Sequence, residues 1–199
     1  QLFDIQQDPG QKFNIAKDYP EVVQRLRAFY DKWWEELLPT FDDATAIHLG
    51  HPADNPARLT SHDWITTRST PWNQQHVRTA LKGEGNIGFW NVEVVEAGDY
   101  VVRLRRWPEE TGAVIDAGLP AGEDVPGAKA YRAVPGKSIK PVTATLQIGD
   151  VAAEQAVAEG DEEVTFQVKL KPGKTRMHAT FETAGGETYG AYYAYVEKE

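Results

Sequence analysis

Apolar positions along this chain change their period near residue 41. Before it, Val22, Leu26, Phe29, Trp33 and Leu37 recur three and four residues apart, while Arg25, Arg27, Asp31, Lys32, Glu35 and Glu36 fill the other faces. That spacing predicts an amphipathic helix within DYPEVVQRLRAFYDKWWEELLP, with one stripe buried. Pro20 suits its first turn, Asp18 or Tyr19 its cap, and Pro39 its end. Val23, Tyr30 and Trp34 widen the stripe, which predicts two packing neighbours. Upstream, Leu2, Phe3 and Ile5 alternate with polar residues as an edge strand would.

After residue 41 the period falls to two. In FWNVEVVEAGDYVVRLRRW, Trp90, Val92 and Val94 share a face, Ala97-Gly98-Asp99 turns, and Tyr100, Val102 and Leu104 return, which predicts a hairpin. Ala144, Leu146 and Ile148 alternate with Thr143, Thr145 and Gln147; Val164, Phe166, Val168 and Leu170 do the same with their polar neighbours. Met177, Ala179 and Phe181 follow a Pro172-Gly173 turn, and TYGAYYAYVEK supplies a closing strand. Roughly eight or nine strands with one polar face each predict a mainly β chain, an antiparallel sandwich of jelly-roll type, behind a short strand-turn and one long helix. The expected division is residues 1–40 and 41–199. Residues 108–138 are rich in Pro, Gly and Ala and read as a long functional or mobile loop.

Composition removes more functions than it suggests. There is no cysteine among the 199 residues, so disulfides, thiol nucleophiles and Cys-based zinc sites are excluded. A net charge of -9 disfavours nucleic acid as a partner. No apolar run reaches the roughly 18 residues of a membrane span, and QLFDIQQDPG has neither a basic nor an apolar leader region; no membrane partner is expected.

The stretch LTSHDWITTRSTPWNQQHVR concentrates chemistry-bearing residues. His62, Asp63 and His76, with His48 and His51, carry no zinc-type spacing, so no metal site is expected; His62, Asp63 and His76 read as polar residues that fix loops. Ser69 is followed by Thr70 and Pro71 rather than a glycine elbow, which argues against a nucleophile. Asp116, Glu123 and Asp124 read as solvated acids rather than a glycosidase pair. Trp64, Trp72 and Trp107 lie near strand ends, where an indole plugs a sandwich or offers a flat face to a sugar ring. Arg103, Arg105 and Arg106 carry guanidinium forks suited to sulfate or carboxylate, with a solvated strand face the favoured reading. Trp64, Trp72, Trp107 and Arg105 are therefore the candidate carbohydrate contacts, with covering the core the favoured role for Trp64 and Trp72.

The opening QLFDIQQDPGQKFNIAKDYPEVVQRLRAFYDKWW resembles the closing segment of the arylsulfatase-type sulfatases. Those catalytic domains end with a strand of the form E-L-Y-D-L, then x-x-D-P-x-E-x-x-N-L-A, then a helix beginning near H-P-E-V-V. Leu2, Phe3, Asp4, Ile5, Asp8, Pro9, Asn14, Ile15, Ala16, Pro20 and Glu21 stand in matching order. LTSHDW, PWNQQHVR, GFWNVEV and YGAYYAYVE are similar to the C-terminal extension of some bacterial members. The family's C/S-x-P-S/A-R motif is missing, and Ser69-Thr70-Pro71-Trp72-Asn73 lacks its arginine.

The resemblance implies a non-catalytic C-terminal portion of a periplasmic or secreted sulfatase-like hydrolase. Its main partner would be the catalytic domain of the same parent chain. No cofactor is implied here; calcium and formylglycine belong to the missing catalytic domain. The alternatives are an independent carbohydrate-binding module, taking a sulfated or neutral glycan, and an interaction or oligomerisation domain.

Overall fold

The alternation of residues 90–198 resolves into two sheets facing each other across one core. A computed structural model describes residues 1–71, 74–83, 85–123, 127 and 134–199, and the chain divides into two units, Gln1–Ala44 and Thr45–Glu199.

In the second unit, one sheet has six strands: β1 (Ile47–Leu49), β3 (Trp90–Val94), β8 (Gly173–Thr183), β5 (Pro141–Ile148) and β6 (Val151–Ala156) in that order, with β9 (Thr188–Gly190) also paired to β8. The other runs β2 (Ala57–Thr60), β10 (Tyr193–Lys198), β4 (Gly98–Arg105), β7 (Val164–Leu170). Among the described strands only β1 and β3 pair in parallel; the rest are antiparallel. The mainly β sandwich expected from the sequence is what forms.

Alternate residues of each strand turn inward, so Val92, Leu146, Met177 and Phe181 of one sheet and Val102, Leu104, Phe166 and Val196 of the other are all buried. Each such side chain contributes about 1.5–3 kcal/mol by leaving water. Trp90 is fully buried among them, its indole N–H donating to the Thr60 carbonyl at 2.7 Å.

The expected hairpin at residues 90–104 is corrected. β3 and β4 belong to different sheets, and residues 95–97 carry the chain from one to the other. Tyr100 Oη donates to the Glu96 carbonyl at 2.7 Å, and Val95 N–H donates to Leu49 at 3.0 Å, which holds that corner. Alternation identifies strands but not their partners, so an arch and a hairpin look alike in sequence. β7 and β8 form a second arch across Pro172. True hairpins join β5 to β6, where Ile148 faces Val151 around Gly149, whose φ is +56°, and β8 to β9.

Ala113 and Ile115, in the segment read as a loop, are buried, and Ile115 N–H donates to the Asp161 carbonyl at 2.8 Å. This part of the expected loop belongs to the core.

The first unit contains α1 (Pro20–Leu37), with Pro20 at its first position and Tyr19 at its cap, followed by a 3-10 turn over Leu38–Thr40. The expected buried stripe is corrected: none of the 18 residues of α1 is buried, and Leu26, Phe29 and Trp33 are 50%, 73% and 47% exposed. Tyr30 stacks on Trp34 and Trp34 meets Phe41 edge-on, at 6.0 and 5.1 Å between ring centres.

The edge strand expected at Leu2–Ile5 is also absent. Asp4 Oδ1 accepts the N–H groups of Gln6 and Gln7, which turns the chain. Leu2 N–H donates to Asn14 Oδ1 and its carbonyl accepts from Ile15 N–H, both at 2.9 Å. These local bonds replace the ladder that a strand lacking a sheet neighbour cannot form.

Candidate functional site

Leu59 to Trp64 runs from the end of β2 into the core. β2 ends at Thr60, whose Oγ1 accepts His62 N–H and donates to Asp63 Oδ2, capping a 3-10 turn over Ser61–Asp63. The chain then drops Trp64 into the core, 4% exposed, its ring 5.4 Å from Trp90 and 5.5 Å from Tyr192. His62 and Asp63 are exposed, while His76 is half-buried on α2 (Gln74–Arg78). Among the described residues no three His, Asp or Glu gather as metal ligands would. Trp72 and Asp124 lie outside the described residues.

Three of the candidate carbohydrate contacts are buried. Trp64 and Trp107 are 4% and 3% exposed, so neither presents a ring face to a sugar. Trp107 donates its indole N–H to the Ala117 carbonyl at 3.2 Å. Arg105 is 4% exposed and already engaged, with Glu163 at 2.9 Å and Glu162 at 3.0 Å.

Arg106 is fully buried. Its guanidinium donates to the carbonyls of Ile115 at 3.4 Å, Ala117 at 3.0 Å, and Lys137, and lies 4.5 Å from the centre of the Trp107 ring. Burial lowers its pKa to about 10, which leaves it charged at neutral pH. The fork ties residues 115–117 and 137 to the end of β4. Nearby, burial raises the pKa of Tyr192, whose hydroxyl donates to the Leu81 carbonyl at 2.8 Å.

The outer faces of the two sheets differ in how their cations are used. On the four-stranded sheet, Arg58 and Arg103 flank the Tyr195 ring at 5.9 and 5.4 Å. Arg58 pairs with Glu109 and Glu110, and Arg103 approaches Glu163. That face satisfies its own charge.

On the six-stranded sheet, Phe89 extends the outward phase of β3 and is half-buried, beside an exposed Ile65 that bridges to it. The Arg176 guanidinium lies 4.4 Å from the centre of the Phe89 ring, and the His178 ring centre is 5.3 Å away. Neither cation nor ring is tied to a carboxylate among the described residues. Register places Asn91 beside Arg176, Gln147 beside His178, and Thr145 beside Thr180. Burial and the Arg176 charge lower the His178 pKa, so its imidazole is neutral at pH 7 and both donates and accepts. A half-buried aromatic ring in contact with a guanidinium and an imidazole, with amide and hydroxyl side chains further along the same face, is suited to the hydroxyl-rich edges and C–H faces of a saccharide.

The sequence matches no family model and no curated protein. Solved structures with a likeness include a ruminal GH26 endo-beta-1,4-mannanase, at 13% identity and a TM-score of 0.37 over 72% of this chain and 26% of that one. A second is the C-terminal CBM6 of LamC, a marine laminarinase from Zobellia galactanivorans, at 10% identity and 0.35 over 72% and 100%. A third is the carbohydrate-binding module CBM6cm-2 from Cellvibrio mixtus lichenase 5A in complex with cellotriose, at 14% and 0.33 over 73% and 98%. This chain thus spans about a quarter of the mannanase.

Sequence reasoning looked to tryptophan and passed over Phe89. Its signal was present: Phe89 is one residue out of phase with the core position Trp90, and Arg176 and His178 are out of phase with Met177.

Proposed function

We propose that this chain is a non-catalytic saccharide-binding module, its ligand lying on the outer face of the six-stranded sheet. The observation that carries the reading is the contact of Phe89 with an Arg176 that has no carboxylate partner among the described residues. Such a fork is free to bind vicinal hydroxyls or a sugar acid. Titration with β-linked gluco-, manno- and galacto-oligosaccharides tests it. Phe89→Ala and Arg176→Ala should each weaken binding about tenfold, roughly 1.4 kcal/mol, without lowering the melting temperature by more than a few degrees. Binding that survives both substitutions overturns the placement; no binding to any saccharide overturns the function.

A second reading is supported by the first unit. Its sulfatase-like residues Leu2 to Glu21 lead into a helix whose Leu26, Phe29 and Trp33 are exposed, the surface expected of an element that packs on a catalytic body. In this reading the chain is the exported C-terminal portion of a sulfatase-like hydrolase. The test is recovery of a complex with a sulfatase catalytic domain truncated before its own closing segment. Phe29→Glu with Trp33→Glu should abolish that complex, and no complex with the unaltered chain overturns the reading.

A further inference from the structure

The outward side of β8 carries more than the Phe89 site. Lys174 and Arg176 are both exposed and lie two residues apart on one side of the strand, about 7 Å along it. Beyond Lys174 the β7–β8 arch and the β5–β6 hairpin enclose a cleft of about 300 Å³, bordered by Lys169, Lys171, Lys174, Asp150 and the Gly149 turn. That volume is at the lower end of ligand sites, roughly 300–1,000 Å³, and admits one sugar ring or its anionic substituent.

Charge at this end runs against the whole chain, whose net charge is -9. Lys169 is 3.3 Å from Asp99, but among the described residues no carboxylate is paired with Lys171, Lys174 or Arg176. Glu93 stands opposite Lys174 in register and is turned to His48, at 3.7 Å. On the four-stranded sheet, by contrast, Arg58, Arg103 and Arg105 all have glutamate partners. A line of cations with no ion-paired carboxylate among the described residues, in an acidic molecule, is an arrangement that draws an anionic ligand.

We infer that the module selects acidic saccharides, bearing sulfate ester or carboxylate groups, which run from the Phe89 face along β8 into the lysine-bordered cleft. This rests on the saccharide reading above and adds the substrate class. The ring and polar groups at Phe89 hold the sugar, and Arg176, Lys174 and Lys171 read its anionic substituents.

The test is calorimetric titration of the whole chain with a carrageenan oligosaccharide, its desulfated counterpart, oligogalacturonate and linear polyphosphate. The expected result is binding of the sulfated sugar or the uronate at least tenfold tighter than the desulfated one, weakened by added salt. Lys171→Gln with Lys174→Gln should remove that preference while leaving desulfated binding and the melting temperature unchanged. Phe89→Ala should weaken both. Binding of both the sulfated sugar and the uronate no tighter than that of the desulfated sugar, or polyphosphate binding as tightly as the better of the two, overturns the acidic selectivity and leaves the saccharide reading standing. Failure to bind any saccharide overturns both.

Discussion

The Trp64 ring lies directly on Gly190: a Cβ built there would be 2.9 Å from both Cζ2 and Cζ3 of the indole. Gly88 packs against the base of the same side chain, with a Cβ position 2.7 Å from Trp64 Cβ and 2.6 Å from the Ile65 carbonyl. The indole therefore lies where a side chain on residue 190 would stand. Gly190→Ala should cost about 1–3 kcal/mol by overpacking, and Trp64→Ala about 3–5 kcal/mol by leaving a cavity. Thermal or urea unfolding of both and of the double variant should show sub-additive losses, because the smaller residue makes room for the new methyl. Additive losses would mean that the two residues do not share that space.

Arg106 should be irreplaceable by lysine. Arg106→Leu strands three carbonyl groups, with an expected loss of about 2–4 kcal/mol. Arg106→Lys should recover little, since one ammonium cannot reach Ile115, Ala117 and Lys137 together as the fork does. Hydrogen exchange of residues 113–117 would rise in both variants; protection equal to the parent in Arg106→Lys would contradict the tethering role.

His178 should make the sandwich acid-sensitive. Its folded pKa is lowered from 6.5 by burial and by Arg176, so the unfolded chain binds more protons below that pH. Its contribution is therefore complete above about pH 6.5 and lost as pH falls through the lowered value. Melting temperatures measured from pH 7.5 to 4.5 should fall less steeply in His178→Gln than in the parent. An unchanged slope would show that the imidazole titrates as it does in the unfolded chain.

The apolar face of α1 should govern association of the isolated chain. Phe29→Ser with Trp33→Ser, both at exposed positions, should reduce concentration-dependent self-association in sedimentation while leaving the unfolding of the sandwich within about 0.5 kcal/mol. Loss of sandwich stability would instead assign these side chains a structural role.

The sandwich was legible in sequence because its inward residues obey a period of two without interruption: Ala144, Leu146 and Ile148, or Val164 to Leu170, needed only counting. Strand pairing was not legible, since a corner such as Val95 to Ala97 has the same turn chemistry whether the next strand folds back or crosses over. The α1 stripe was legible as a pattern, but a pattern gives no partner. The candidate site was missed for a physical reason as well. Trp64 and Trp107 attract attention by size, yet large aromatics gain most by burial, whereas the smaller Phe89 is held at the surface by the phase of Trp90.

β10 lies between β2 and β4 and bonds to both. Residues 57–60 and 98–105 therefore have no direct ladder to each other and meet only through residues 193–198. During synthesis the four-stranded layer must wait, half-assembled and with one hydrogen-bonding edge of β4 unpaired, until the ribosome has released a segment nearly a hundred residues later. Such long-range closure is slow, and a stall or a proteolytic cut before Tyr193 would leave a species that seeks its missing strand in another molecule.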